Sequence, residues 1–150
     1  MGEPREIAFL IESRLQNVSF VGVSINRICR ELGFDEAEAH NVELSAVESL
    51  TNVIRHAYGL ATDQPVIARL TVHDDRIELR VMHQGAPVPE DKRGAPAPPE
   101  EPDDPLNLAE GGRGLFLMHA LMDRVEYDTE GDAHVVLLTK ARPAGRGEAR

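Results

Sequence analysis

A single cysteine, Cys29, is all that the 150-residue chain contains, so disulfide stapling within the chain and a cysteine-built zinc site are both excluded. Set inside an amphipathic run, Cys29 reads as a buried, reduced thiol. Basic residues are scarce as well: 16 Lys and Arg stand against 26 Asp and Glu, for a formal net charge of −10. That balance repels phosphate backbones and anionic lipid, which argues against nucleic-acid or membrane-surface binding as the main task. No window approaches the roughly 18 continuous apolar residues of a membrane helix, and MGEPREIAFL lacks the basic start and apolar run of a secretory signal. A soluble, cytoplasmic protein is expected, one that meets a protein partner or a small ligand. Internal repeats are absent too. What is present is enough chain for one domain with a sizeable core.

Hydrophobic spacing organises the first half. Arg5 to Ile11, REIAFLI, is β-prone, and Leu15, Val18, Val21, Ile25, Ile28 and Leu32 follow at intervals of three and four, predicting a core-facing helix. Gly33 stops it, and Asp35-Glu36-Ala37-Glu38 caps a second helix running to about Tyr58, which Gly59 closes. VIARLTVH and RIELRVMH, joined through Asp74-Asp75, read as a hairpin.

From Ala86 to Pro105 the character changes, since seven of the ten prolines fall there with hardly any large apolar residue. That stretch reads as a surface loop or as a lid over a site, about residues 86–110. Beyond it Gly111-Gly112-Arg113-Gly114 opens a helix, LFLMHALM, and strands near Arg124–Tyr127 and His134–Lys140 complete a domain spanning 1–142, with a polar, frayed tail over 143–150. Strand, two helices, hairpin, loop, helix and two strands do not alternate as a doubly wound sheet does. The order predicts an α+β fold: a two-layer α/β sandwich whose mixed, mostly antiparallel sheet carries its helices on one face.

Polar chemistry concentrates in the second helix. Val47, Leu50, Ile54 and Ala57 mark one face, and a turn of about 100° per residue places Ser45, Glu48, Asn52, Arg55 and His56 on another. Glu48 and Asn52, one helical turn apart, meet side by side. Spacing leaves two readings: a solvated polar face, or an acid and an amide holding a hard cation such as Mg²⁺ beside a water or hydroxyl. The glycine cluster EGGRG is equally open, as a plain helix entry or as backbone N–H groups offered to a phosphate. Walker's Lys-Ser or Lys-Thr is missing, and the cluster does not follow a strand as a dinucleotide fingerprint does. His40, His73, His119 and His134 have no mutual metal-ligand spacing.

Order and combination sharpen both signals. E-x-x-x-N, then RHAYG, then a strand ending in x-x-G, a long loop and G-G-x-G-L-F-L-M resembles the nucleotide site of the GHKL ATPases, the superfamily of gyrase, histidine kinases and mismatch-repair ATPases. Within it the chain resembles the anti-sigma-factor serine kinases of bacteria, whose signatures ESLTNVIRHAYG and EGGRGLFLMHALMDRVEY look alike, with the element order similar from Arg5 to Lys140.

That resemblance implies the GHKL ATPase fold with ATP between the helices and the lid. It implies Asn52 as the residue holding Mg²⁺ and Glu48 as the base that takes a proton from a serine of an antagonist protein. Gly111, Gly112 and Gly114 would lie on the phosphate-cradling hinge, Arg113 would reach a terminal phosphate or stay solvated, and Gly85 would form the turn beneath adenine. The partners implied are a sigma factor and a STAS-type antagonist, exchanged by partner switching, with the chain a homodimer.

The strand end departs from the family pattern D-x-G, whose Asp accepts from the adenine amino group; here the residue is His83. A carboxylate offers two acceptor oxygens, neutral imidazole one nitrogen and the protonated ring none. Direct replacement is expected to weaken adenine recognition by roughly 1.5–3 kcal/mol, and a ring that accepts from adenine would lose binding as pH falls through about 6.5. Three functions follow: an ATP-dependent serine kinase that is also an anti-sigma factor, a module that sequesters a regulator without ATP, or a domain related to a histidine kinase. REIAFLIESRL shows no phospho-acceptor helix hairpin, which disfavours the third.

Overall fold

A computed structural model describes residues 2–94 and 112–144 of the chain. Strand β1 (Arg5–Glu12) leads into α1 (Leu15–Glu31), whose Val18, Val21, Ile25 and Cys29 are buried as their spacing requires. Past the helix end, Gly33 takes a left-handed conformation (φ 96°). Its N–H donates to the Arg30 carbonyl and the Phe34 N–H to the Cys29 carbonyl, which satisfies carbonyls the helix leaves open. Helix α2 (Glu36–Asn52) starts at Asp35, whose side chain accepts from the Glu38 N–H at 2.8 Å, with Glu36 and Glu38 at its positive end.

Instead of running on to Tyr58, α2 widens after Asn52 into a π-helical turn, Val53–Ala57. The Tyr58 N–H closes it on the Val53 carbonyl at 3.0 Å. The wider turn keeps Val53 and Ile54 both buried, leaves Arg55 and His56 exposed, and brings Ala57 and Tyr58 to the end of the hairpin. Ser45, expected on the polar face, is fully buried among the core residues of α2, so that face is narrower than its sequence suggests.

Strands β2 (Pro65–Val72) and β3 (Arg76–His83) form the expected hairpin, and β4 (Arg124–Glu130) and β5 (Ala133–Ala141) form a second. The hairpins join through β3 and β5, and β1 adds to β2, giving the order β1-β2-β3-β5-β4. Every pairing is antiparallel; the sheet expected to be mostly so is wholly so, because each neighbour arrives by a hairpin or by a helical return that reverses the chain. Leu70 faces Leu79, and Leu79 faces Leu138. These side chains pack with Ile25, Leu50, Ile54 and Met118 in one core between the sheet and the helices, including α3 (Gly112–Leu121). Strand alternation puts Ile77, Leu79, Val81 and finally His83 on that same inner face.

Of the proline-rich stretch, residues 86–94 are described and include a 3₁₀ turn, Glu90–Lys92. The rest of the expected lid lies outside the described residues, as do Gly111 and the tail beyond residue 144. Among the described residues no helix is long and apolar enough to cross a membrane.

Candidate nucleotide site

A cavity of about 290 Å³ opens between the end of α2, the inner face of β3 and β5, α3 and the start of the proline-rich loop. Its walls are apolar, formed by Val53, Val88, Leu115, Met118 and Val136. Polar groups punctuate them: Asn52 and His56 from the α2 side, His83 from β3, Lys92 from the loop. An apolar slot with a few polar points suits a flat heteroaromatic ring. Ser49 Oγ and Tyr127 Oη, both on residues of this lining, are buried without a hydrogen-bond partner among the described residues. Burial also pushes the Tyr127 phenol up, with Arg93 acting in the opposite sense.

Glu48 and Asn52 converge on the first turn of α3. A Cβ placed on Gly114 would lie 2.7 Å from Glu48 Oε2 and 3.4 Å from both terminal atoms of the Asn52 amide. Gly114 therefore brings α3 close to this pair, and a side chain there would occupy the space beside the carboxylate. Asn52 lines the cavity, whereas Glu48 stands just outside it, toward the start of α3. The oxygen donors suit a hard cation, and Mg²⁺ takes few protein ligands because waters and phosphates complete its shell. Among the described residues no cluster of three or more His, Cys, Asp or Glu groups is placed to hold a metal ion. Gly112 and Arg113 begin α3.

The turn after β3 is fixed by three consecutive backbone N–H groups. The Gln84 N–H donates to Tyr58 Oη at 2.8 Å, the Gly85 N–H to His83 Nδ1 at 3.2 Å and the Ala86 N–H to the Ala57 carbonyl at 3.1 Å. Tyr58 Oη in turn donates to the Pro65 carbonyl at 2.8 Å. Gly85 passes so close to the π turn that a Cβ would sit 2.5 Å from the Ala57 carbonyl oxygen. Only glycine fits there, so RHAYG and the strand-end glycine form one structural unit.

His83 is buried, 4% exposed, and edge-on to Tyr58 with ring centroids 5.9 Å apart. Its cross-strand partner is His134, with centroids 5.6 Å apart. Burial first, and then the charge of His134, lowers the His83 pKa to about 4. The ring nitrogen that accepts is Nδ1, and it is taken by the Gly85 N–H. The expected acceptance from adenine, with its loss near pH 6.5, therefore has no free acceptor nitrogen on which to act.

Sequence reasoning singled out Glu48, Asn52, His83, Gly85, Gly111, Gly112, Arg113 and Gly114: Asn52 and His83 line the cavity, Gly114 stands against Glu48 and Asn52 and Gly85 against Ala57, Gly112 and Arg113 begin α3, and Gly111 lies outside the described residues. It missed His134 as the neighbour of His83, and it missed Tyr58, Ser49, Lys92 and Tyr127. The register that sets His134 opposite His83 carries no local sequence signal.

The sequence profile of the family described as "Histidine kinase-like ATPase domain" matches residues 11–140, and the chain belongs to that family. Within it the chain is of the kind of the serine-protein kinases RsbW. It is 30% identical to the serine-protein kinase RsbW of Halalkalibacterium halodurans over 92% of this chain and 84% of that protein. It is 26% identical to the RsbW of Bacillus subtilis over 87% and 82%. Among solved structures, the RsbU and RsbW domains of Rv1364c from Mycobacterium tuberculosis superpose with a TM-score of 0.62 at 14% identity, over 97% of this chain and 34% of that one. The mycobacterial sensor histidine kinase MprB superposes with 0.51 at 14%, over 94% and 99%. These structural likenesses establish the fold.

Proposed function

We propose that this chain is a bacterial anti-sigma factor with ATP-dependent serine/threonine kinase activity toward a STAS-type antagonist, controlling transcription by partner switching in the cytoplasm. The observation that carries the reading is the convergence of Glu48 and Asn52 on Gly114 at the end of an apolar cavity. The similarity to serine-protein kinases RsbW over most of both chains supports it. The purine sits between Val53, Met118 and Val136, and the phosphates lie toward the start of α3, where backbone N–H groups and the helix dipole favour negative charge. Gly114 leaves room beside Glu48 and Asn52 there, and Gly111, Gly112 and Arg113 are assigned to nucleotide binding with it. Bound Mg²⁺, held on the protein by the Asn52 amide oxygen, supplies charge neutralisation on the phosphates. Glu48 accepts the proton of the antagonist's serine as that oxygen bonds to the γ-phosphorus, and the bond to the β–γ bridging oxygen breaks to release ADP. Residues 1–142 serve as one unit, with a homodimer as the assembly.

Phosphotransfer from labelled ATP to an antagonist serine, abolished in Asn52→Ala, tests this reading. Its absence at saturating nucleotide, with the protein folded, refutes it. A second reading is favoured by one observation, the occupied Nδ1 of His83: a module that holds its partner without using ATP. Under it, sigma-factor capture is indifferent to nucleotide and to Asn52→Ala.

A further inference from the structure

The turn after β3 decides which nitrogen of His83 carries its proton. Nδ1 accepts from the Gly85 N–H at 3.2 Å, so the proton of the neutral ring resides on Nε2. The protonated ring carries hydrogen there too, and Nε2 is a donor in either charge state. The opposite tautomer would set an N–H against the Gly85 N–H. Making room for it means breaking the flanking bonds from the Gln84 N–H to Tyr58 Oη and from the Ala86 N–H to the Ala57 carbonyl, with Gly85 already wedged against that carbonyl. The ring stands between Tyr58 and His134. Nε2 has no hydrogen-bond partner among the described residues, and His83 lines the cavity beside Val53, Met118 and Val136, whose side chains offer it no acceptor.

Resting on the ATP reading above, we propose that His83 orients the adenine of ATP by donating from Nε2–H to one of the base's ring nitrogens. The exocyclic amino group presents N–H donors, which oppose Nε2–H. N1, N3 and N7 each present an in-plane lone pair, the acceptor that such a donor requires. The pairing ties the direction of the base in the slot to the tautomer of one side chain. A carboxylate at this strand end would accept from the base; the histidine donates to it. Since a donor left unmatched in a closed site is costly, a base that lacks the paired nitrogen binds more weakly.

Calorimetric titration with the Mg²⁺ complexes of ATP and of its 1-deaza, 3-deaza and 7-deaza analogues tests this, each analogue replacing one ring nitrogen by C–H. The wild type is expected to bind ATP at least about tenfold more tightly than one of the three. In His83→Asp, whose carboxylate can still accept from the Gly85 N–H but has no hydrogen to donate, that difference is expected to shrink to within about twofold. Long-range ¹⁵N–¹H correlation of the His83 ring gives a readout that needs no variant, with hydrogen expected on Nε2 both before and after Mg²⁺-ATP is added. Binding of all three analogues as tightly as ATP by the wild type overturns the proposal. So does a difference that persists unchanged in His83→Asp, or hydrogen found on Nδ1 in the complex. Failure of the wild type to bind ATP or any analogue overturns the ATP reading itself, an outcome distinct from equal binding of all four.

Discussion

A Glu48→Gln substitution keeps the size and reach of the side chain and removes its basicity. Because Glu48 stands beside Gly114 outside the apolar cavity, the variant is expected to bind nucleotide as the wild type does. Phosphotransfer should slow by roughly 10²–10⁴-fold, the usual weight of a general base. Single-turnover transfer beside equilibrium binding separates the two, and transfer at the wild-type rate would contradict the role. His83 gives a second prediction. Its folded pKa lies at about 4, below the roughly 6.5 of an unfolded histidine, so the unfolded chain takes up the proton first. Stability is therefore expected to fall as pH drops from about 6.5 toward about 4, by on the order of 2–3 kcal/mol. Denaturant titrations across that range should show a shallower fall for His83→Gln; parallel curves would remove the assignment.

Between α2 and β3 the decisive element is the π turn. Tyr58→Phe removes the acceptor of the Gln84 N–H and the donor to the Pro65 carbonyl. It is expected to lower stability by about 1–2 kcal/mol, with faster hydrogen exchange at the Gln84 amide. An unchanged amide would show that the clamp does not hold the turn. Within α1, Cys29 is completely buried and burial pushes its thiol up to about 12. A disulfide reagent at pH 8 should leave the folded chain unmodified and react fully once guanidinium unfolds it; rapid reaction of the folded chain would contradict the packing.

Helix α1, the cap of α2 and the two hairpin strands were legible because periodicity and caps are local signals. The π turn was not, because VIRHAYG continues a helical spacing and only its packing against the β3 turn rewards the extra residue. Nor was the His83–His134 pair, since cross-strand register depends on how the two hairpins meet.

At the scale of the molecule, the α+β sandwich was legible from motif order, while the strand order β1-β2-β3-β5-β4 carries no local sequence signal. The site was half legible. Glu48, Asn52, Gly85 and Gly114 belong to spaced motifs, but the direction of the His83 hydrogen bond is set by a turn that three separate segments pin together. The central claim is a nucleotide cavity whose phosphate end is built by α2 and α3, and calorimetric titration of wild type and Asn52→Ala with purine nucleoside triphosphates and Mg²⁺ tests it most directly. Saturable binding by the wild type, weakened at least about tenfold in a folded Asn52→Ala variant, is the predicted result. Equal binding by the two proteins, or none by the wild type with any purine nucleotide, would contradict the account.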